Sequence, residues 1–129
     1  MDREVLVRQM RKVERELRQE VGPLALLMLV PSDPSLDDNW NVIVSARGFN
    51  RKTRAEGIRE FVELLRRTLS KSMWPHVKRV TVLRTDDPFV QGMTSEFHPK
   101  RAVLYLQSCN LFGFDIPKAV LFTSRKVAA

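Results

Sequence analysis

The sequence predicts an α+β fold: a mixed five-stranded sheet with two long amphipathic helices on one face, in the order α-β-β-α-β-α(short)-β-β. Three observations carry this expectation. Two segments repeat apolar residues at helical spacing, Leu6 to Val21 and Ile58 to Met73. Five shorter runs are aliphatic or β-branched and are bounded by Gly, Pro, Asn or Asp. The stretch from Trp40 to Leu83 reads as strand, basic turn, helix, strand, which gives two parallel strands joined by a crossover helix.

Asp2 to Val21 is expected as the first helix. Leu6, Met10, Val13, Leu17 and Val21 make one stripe, and almost everything else is charged. Glu4 with Arg8 and Glu14 with Arg18 are i,i+4 pairs in the favourable order. Gly22-Pro23 ends the helix, glycine as a left-handed cap and proline as a block. A stripe this narrow fits a helix lying on a sheet, or a seam against a helix of another chain.

Leu24 to Val30 is continuously apolar and reads as a central strand buried on both faces. Residues 31–39 hold two prolines and three aspartates and read as a polar loop. Trp40 to Ala46 is the next strand, pairing antiparallel with the first. Trp40, Val42, Val44 and Ala46 face one way; Asn41, Ile43 and Ser45 face the other.

Thr53-Arg54-Ala55-Glu56 matches a capping box and opens the second helix. Its stripe is Ile58, Phe61, Val62, Leu65, Leu69 and Met73, closed by Trp74-Pro75. Gly57 costs about 1 kcal/mol in helix propensity and is a candidate for close approach to the sheet. Val77 to Leu83 is a strand. Asp87 as N-cap and Pro88 at the first position start a short helix that stops at His98-Pro99. Ala102 to Ser108 and Ile116 to Ser124 are the last strands, joined by an unusually apolar connection, with a frayed tail from Arg125.

At 129 residues the chain is expected to be one domain, 1–129, large enough to hold a core without staples. A lone cysteine, Cys109, excludes an intramolecular disulfide and any cysteine-based zinc cluster. The mixed charges of the first residues do not resemble a secretory signal. The longest apolar run falls far short of the ~20 residues a membrane helix needs. A soluble, cytoplasmic protein is expected, with no membrane partner.

The net charge of +7 is unevenly placed: residues 48–79 alone hold nine basic and three acidic groups. Such asymmetry favours an anionic partner, although a solvated basic face is its commoner meaning. The candidate anion-binding residues are Arg47, Asn50, Arg51, Lys52 and Arg54. They lie where a strand feeds a helix N-terminus, whose free N–H groups and dipole attract anions. The glycine spacing of a P-loop is absent, since Gly48 stands alone there.

No residue constellation amounts to a catalytic signature. His76, His98 and Cys109 are too few and too scattered for structural zinc, and the pairs Asp37-Asp38 and Asp86-Asp87 read as turn and cap residues. A dyad of Cys109 with either histidine is conceivable, but a cysteine ending an apolar strand is far more often a small core residue. No catalytic residue, metal or cofactor is therefore assigned.

Leu111, Phe112 and Phe114 sit in the apolar connection and are the candidate interaction residues. Burying each contributes about 1.5–3 kcal/mol, so either the tip folds back or another chain covers it. The leading expectation is a non-enzymatic, self-associating protein, a homodimer. The alternative is a nucleic-acid- or phosphate-binding protein using the turn 47–54. A small enzyme acting on an anionic substrate ranks third.

Overall fold

The apolar run expected as a central strand does occupy the middle of the sheet. The computed structural model describes residues 2–33, 36–100, 102–111 and 114–127. Its elements are α1 (Arg3–Val21), β1 (Leu24–Asp33), β2 (Leu36–Ala46), a 3-10 turn (Arg47–Arg51), α2 (Arg54–Thr68), a second 3-10 turn (Trp74–His76), β3 (Val77–Leu83), α3 (Pro88–Glu96), β4 (Leu104–Leu111) and β5 (Phe114–Ser124). The sheet order is β3-β2-β1-β5-β4. β2 and β3 are parallel; the other three pairings are antiparallel. The α+β class, the mixed sheet and the element order all match the expectation. None of the helices among the described residues is long and apolar enough to cross a membrane.

Two apolar layers flank the sheet. One holds the α1 stripe, Phe61, Leu64 and Leu65 of α2, and Trp40, Val42 and Val44 of β2. The other is smaller and rests on α3, through Val90 and Met93 against Leu26, Met28 and Leu121. The alternation read in β2 explains the division: Trp40, Val42, Val44 and Ala46 join the layer of the long helices, and Ile43 meets the α3 side.

The helix ends follow local chemistry. The Asp2 carboxylate accepts the Glu4 N–H at 2.9 Å. Gly22 has φ +79°, a range that favours glycine, although its ψ of −155° lies outside the left-handed helical well. At α2 the capping box is complete: Thr53 Oγ1 accepts the Glu56 N–H at 3.2 Å, and Glu56 Oε1 accepts the Thr53 N–H at 2.9 Å. The Asp87 carboxylate accepts the Phe89 N–H at 2.8 Å, with Pro88 opening α3.

Five expectations need correction. Residues 31–39 are mostly strand, because β1 and β2 keep pairing beyond the apolar core as far as Asp33↔Leu36. Ser32, Asp33 and Asp38 are exposed there, so polar residues are compatible with the ladder. β4 and β5 likewise extend to Leu111↔Phe114. The helix α2 stops at Thr68; Leu69 and Met73 are buried from the segment after it, and Leu64 takes a helix core position. The Glu14–Arg18 pair does form, but Glu14 joins the buried face instead of lying among the solvated charges, since its spacing from Met10 and Leu17 turns it toward the sheet. There it bonds Thr123 Oγ1 and Arg11 at 3.0 Å, with Arg18 at 3.6 Å. Residues 125–127 stay attached through Arg125 N–H to the Ala25 carbonyl at 2.9 Å, and Val127 packs on the α3-side layer.

Candidate functional site

The basic turn is held at the carboxyl ends of the parallel strands β2 and β3, in register from Trp40↔Val77 to Ser45↔Leu83. Three anchors fix it. Arg47 N–H donates to the Pro23 carbonyl at 3.2 Å. Phe49 is buried and meets Phe61 edge-on, ring centroids 6.3 Å apart. Asn50 grips the segment after β3: its Nδ2 donates to Thr85 Oγ1 at 2.7 Å, and its Oδ1 accepts the Thr85 N–H at 3.0 Å.

Between the start of α2 and the end of β3 lies a recess of ≈330 Å³. Lys52, Thr53, Arg54, Arg84 and Asp87 supply its polar lining, and Phe49, Val82 and Leu83 its apolar floor. Of the five residues expected to bind an anion, Lys52 and Arg54 line it. Arg47 and Arg51 are exposed outside the lining, and Asn50 is turned to Thr85. Arg84 was not among the expected residues. It directly follows β3, so the parallel pairing itself brings it beside the turn. Its Nη1 also donates to the Asn50 carbonyl at 3.0 Å.

Much of this charge is already matched. Lys52 pairs with Glu60, and Arg84 with Asp86 at 3.1 Å. Hydrogen bonding from the Arg84 guanidinium holds the Asp86 carboxyl below the usual carboxylate range. The Glu56 carboxyl is also lowered, first by the Thr53 backbone N–H and then by the Thr53 hydroxyl. The helix start therefore carries its own carboxylate, and an incoming anion would meet the N–H groups of Arg54 and Ala55 rather than a bare terminus.

A second concavity lies on the other face. Two long helices cover one side of the sheet, whereas α3 spans nine residues and leaves β2 and β3 open beside it. The result is a groove of ≈470 Å³ floored by Val30, Ile43, Leu83 and Phe89, all partly buried. Arg79 and Asp87 border it.

No protein-family model, curated protein or solved structure matches the chain. The local chemistry must therefore carry the functional reading. His76 Nδ1 is bonded to the Asp38 carbonyl and His98 Nε2 to the Thr94 carbonyl, both at 2.6 Å. Each ring nitrogen must donate there, so each histidine serves local structure. Among the described residues no three His, Cys, Asp or Glu side chains gather as a metal site. Leu111 and Phe114 close the β4–β5 ladder as register partners. Phe112 and the side chains of Leu111, Phe114 and Cys109 lie outside the described residues. Two buried polar atoms among the described residues have no partner, Trp40 Nε1 and Ser45 Oγ; neither residue lines the recess or the groove.

Proposed function

We propose that this protein is a non-enzymatic, self-associating cytoplasmic module, and that a second copy closes the groove beside α3. The observation that carries this reading is the apolar floor of Val30, Ile43, Leu83 and Phe89, partly buried and left uncovered by a nine-residue helix. Charge placement favours another copy over an unrelated partner. Arg79 lies near the start of β3, and Asp87 follows the end of that strand, both on the groove. A twofold across the middle of the groove sets Arg79 of each copy against Asp87 of the other, as an isologous contact requires.

Sedimentation velocity on the wild-type chain and Ile43→Glu tests it. The substitution puts a charge on the apolar floor while its neighbours in β2 keep their packing. The wild type is expected to dimerise through this face and Ile43→Glu to lose that step with an unchanged circular dichroism spectrum. Equal association by the two proteins would refute the reading.

A second reading rests on a different observation, the convergence of Lys52, Arg54 and Arg84 on one recess at the ends of two parallel strands. It makes the protein a binder of nucleic acid or another phosphate-bearing polyanion. Binding of a random-sequence oligonucleotide should fall steeply with salt. Replacing Arg54 and Arg84 together by Glu should weaken it at least ~10-fold, and identical isotherms for the two proteins would rule this site out.

A further inference from the structure

The two edges of the sheet are guarded very differently. β3 carries Lys78 and Arg79, and its pairing with β2 is broken by an irregularity at Trp40/Asn41. Charges and bulges of this kind are how sheet edges avoid pairing with other chains. β4, at the opposite edge, has none of these devices. Its eight residues, Leu104–Leu111, include no charge and no proline. Its register with β5 runs without a shift from Leu104↔Leu121 to Leu111↔Phe114, although each of the other three strand pairings has at least one. Among the described residues no strand pairs with its outer edge. Tyr105, 46% exposed, is the large apolar side chain left open among the described residues.

We propose that the outer edge of β4 pairs antiparallel with β4 of a second copy, joining two five-stranded sheets into one of ten strands. Symmetry limits how this can happen. Antiparallel pairing of identical strands needs a twofold perpendicular to the sheet, passing by one residue of each strand, here Gln107 or Ser108 at the middle of β4. An axis at Gln107 sets Gln107 opposite the partner's Gln107. An axis at Ser108 makes those two residues diagonal neighbours and sets Tyr105 opposite the partner's Leu111. Either way the two glutamines come within cross-strand reach.

The same axis keeps both α1 helices on one side of the joined sheet. A recess of ≈360 Å³ lies there between the first turns of α1 and Tyr105, lined by Arg3, Glu4, Val7 and Arg8. Glu4 and Arg8 have opposite signs and border one recess, so the twofold offers each the other's counterpart on the second copy. Leu111, one of the candidate interaction residues of the sequence, ends this same strand. This contact uses a different surface from the groove beside α3 and stands or falls separately from it.

The test is a charge-swap pair. Gln107→Lys and Gln107→Glu each set like charges against each other across the axis and should weaken β4-mediated association about 100-fold. An equimolar mixture of the two should regain it as a heterodimer, a result that misfolding cannot imitate. Sedimentation velocity reads the association step. Hydrogen exchange reads the outward amides of β4, protected in the wild type and in the mixture, fast in either variant alone. Ile43→Glu should leave this step intact, which separates it from the contact through the groove. If the wild type shows no association that Gln107→Lys removes, or if mixing fails to restore it, the proposal is wrong.

Discussion

Phe61→Ala should destabilise the fold by about 3–5 kcal/mol, measured by denaturant unfolding. Phe61 is fully buried on α2, within the layer formed by α1, α2 and the sheet. Truncation removes the transfer energy of the ring and leaves a cavity in a layer whose other side chains are themselves buried. It also ends the edge-on contact with Phe49, whose centroid lies 6.3 Å away. Phe49 is the only buried residue of the 3-10 turn, so the loss is not confined to the core. The turn holding Lys52 and Arg54 beside the recess would lose its apolar anchor and keep its polar ones, the Asn50–Thr85 pair, the Arg84 bond to the Asn50 carbonyl and the Arg47 backbone bond. Against a typical domain stability of about 5–15 kcal/mol, a loss of this size is a large fraction of the total. A change below about 1.5 kcal/mol would mean that α2 is not packed on the sheet as described.

What was legible in the sequence was local or periodic. The capping box at Thr53 and Glu56 and the cap of Asp87 before Pro88 are contacts between near neighbours, so spacing alone reveals them. The central position of β1 follows from an apolar run with no polar face to present to water. The parallel pairing of β2 and β3 follows from the helix between them. Strand ends were not legible, because at Asp33↔Leu36 the ladder runs on through residues whose side chains carry no pattern. The state of the cations was hidden for a similar reason. Lys52 and Glu60 are eight apart across a helix start, and no periodic rule pairs them. Glu14 could have been read correctly, since four residues from Met10 and three from Leu17 is a core position. Its charge argued for solvent, and the partner that allows burial, Thr123, lies 109 residues away.

The two glycines near the basic turn give the sharpest contrast, and with it the second large effect. Gly57, the one expected to approach the sheet, is buried, yet a methyl group there would meet Val82 Cγ1 at 3.4 Å and the Phe49 ring at 3.5 Å. Those are ordinary contacts with side chains. At Gly48 the same methyl would stand 2.4 Å from the Val21 carbonyl oxygen and 2.9 Å from Val21 Cα. Both are backbone atoms at the end of α1, held by the turn's own bond from Arg47 N–H to the Pro23 carbonyl. Nothing can rotate away; the turn or the helix end must move as a unit. Gly48→Ala should therefore cost about 3 kcal/mol, the upper part of the usual range for overpacking. Gly57→Ala should be neutral, or stabilising by up to ~1 kcal/mol through helix propensity. The ordering matters more than either value, since helix propensity alone would single out Gly57 and leave Gly48 as an ordinary turn residue. Thermal and denaturant unfolding of the two variants side by side gives the answer. If Gly48→Ala unfolds like the wild type, the turn does not rest on the end of α1, and the placement of Arg54 beside Arg84 loses its support.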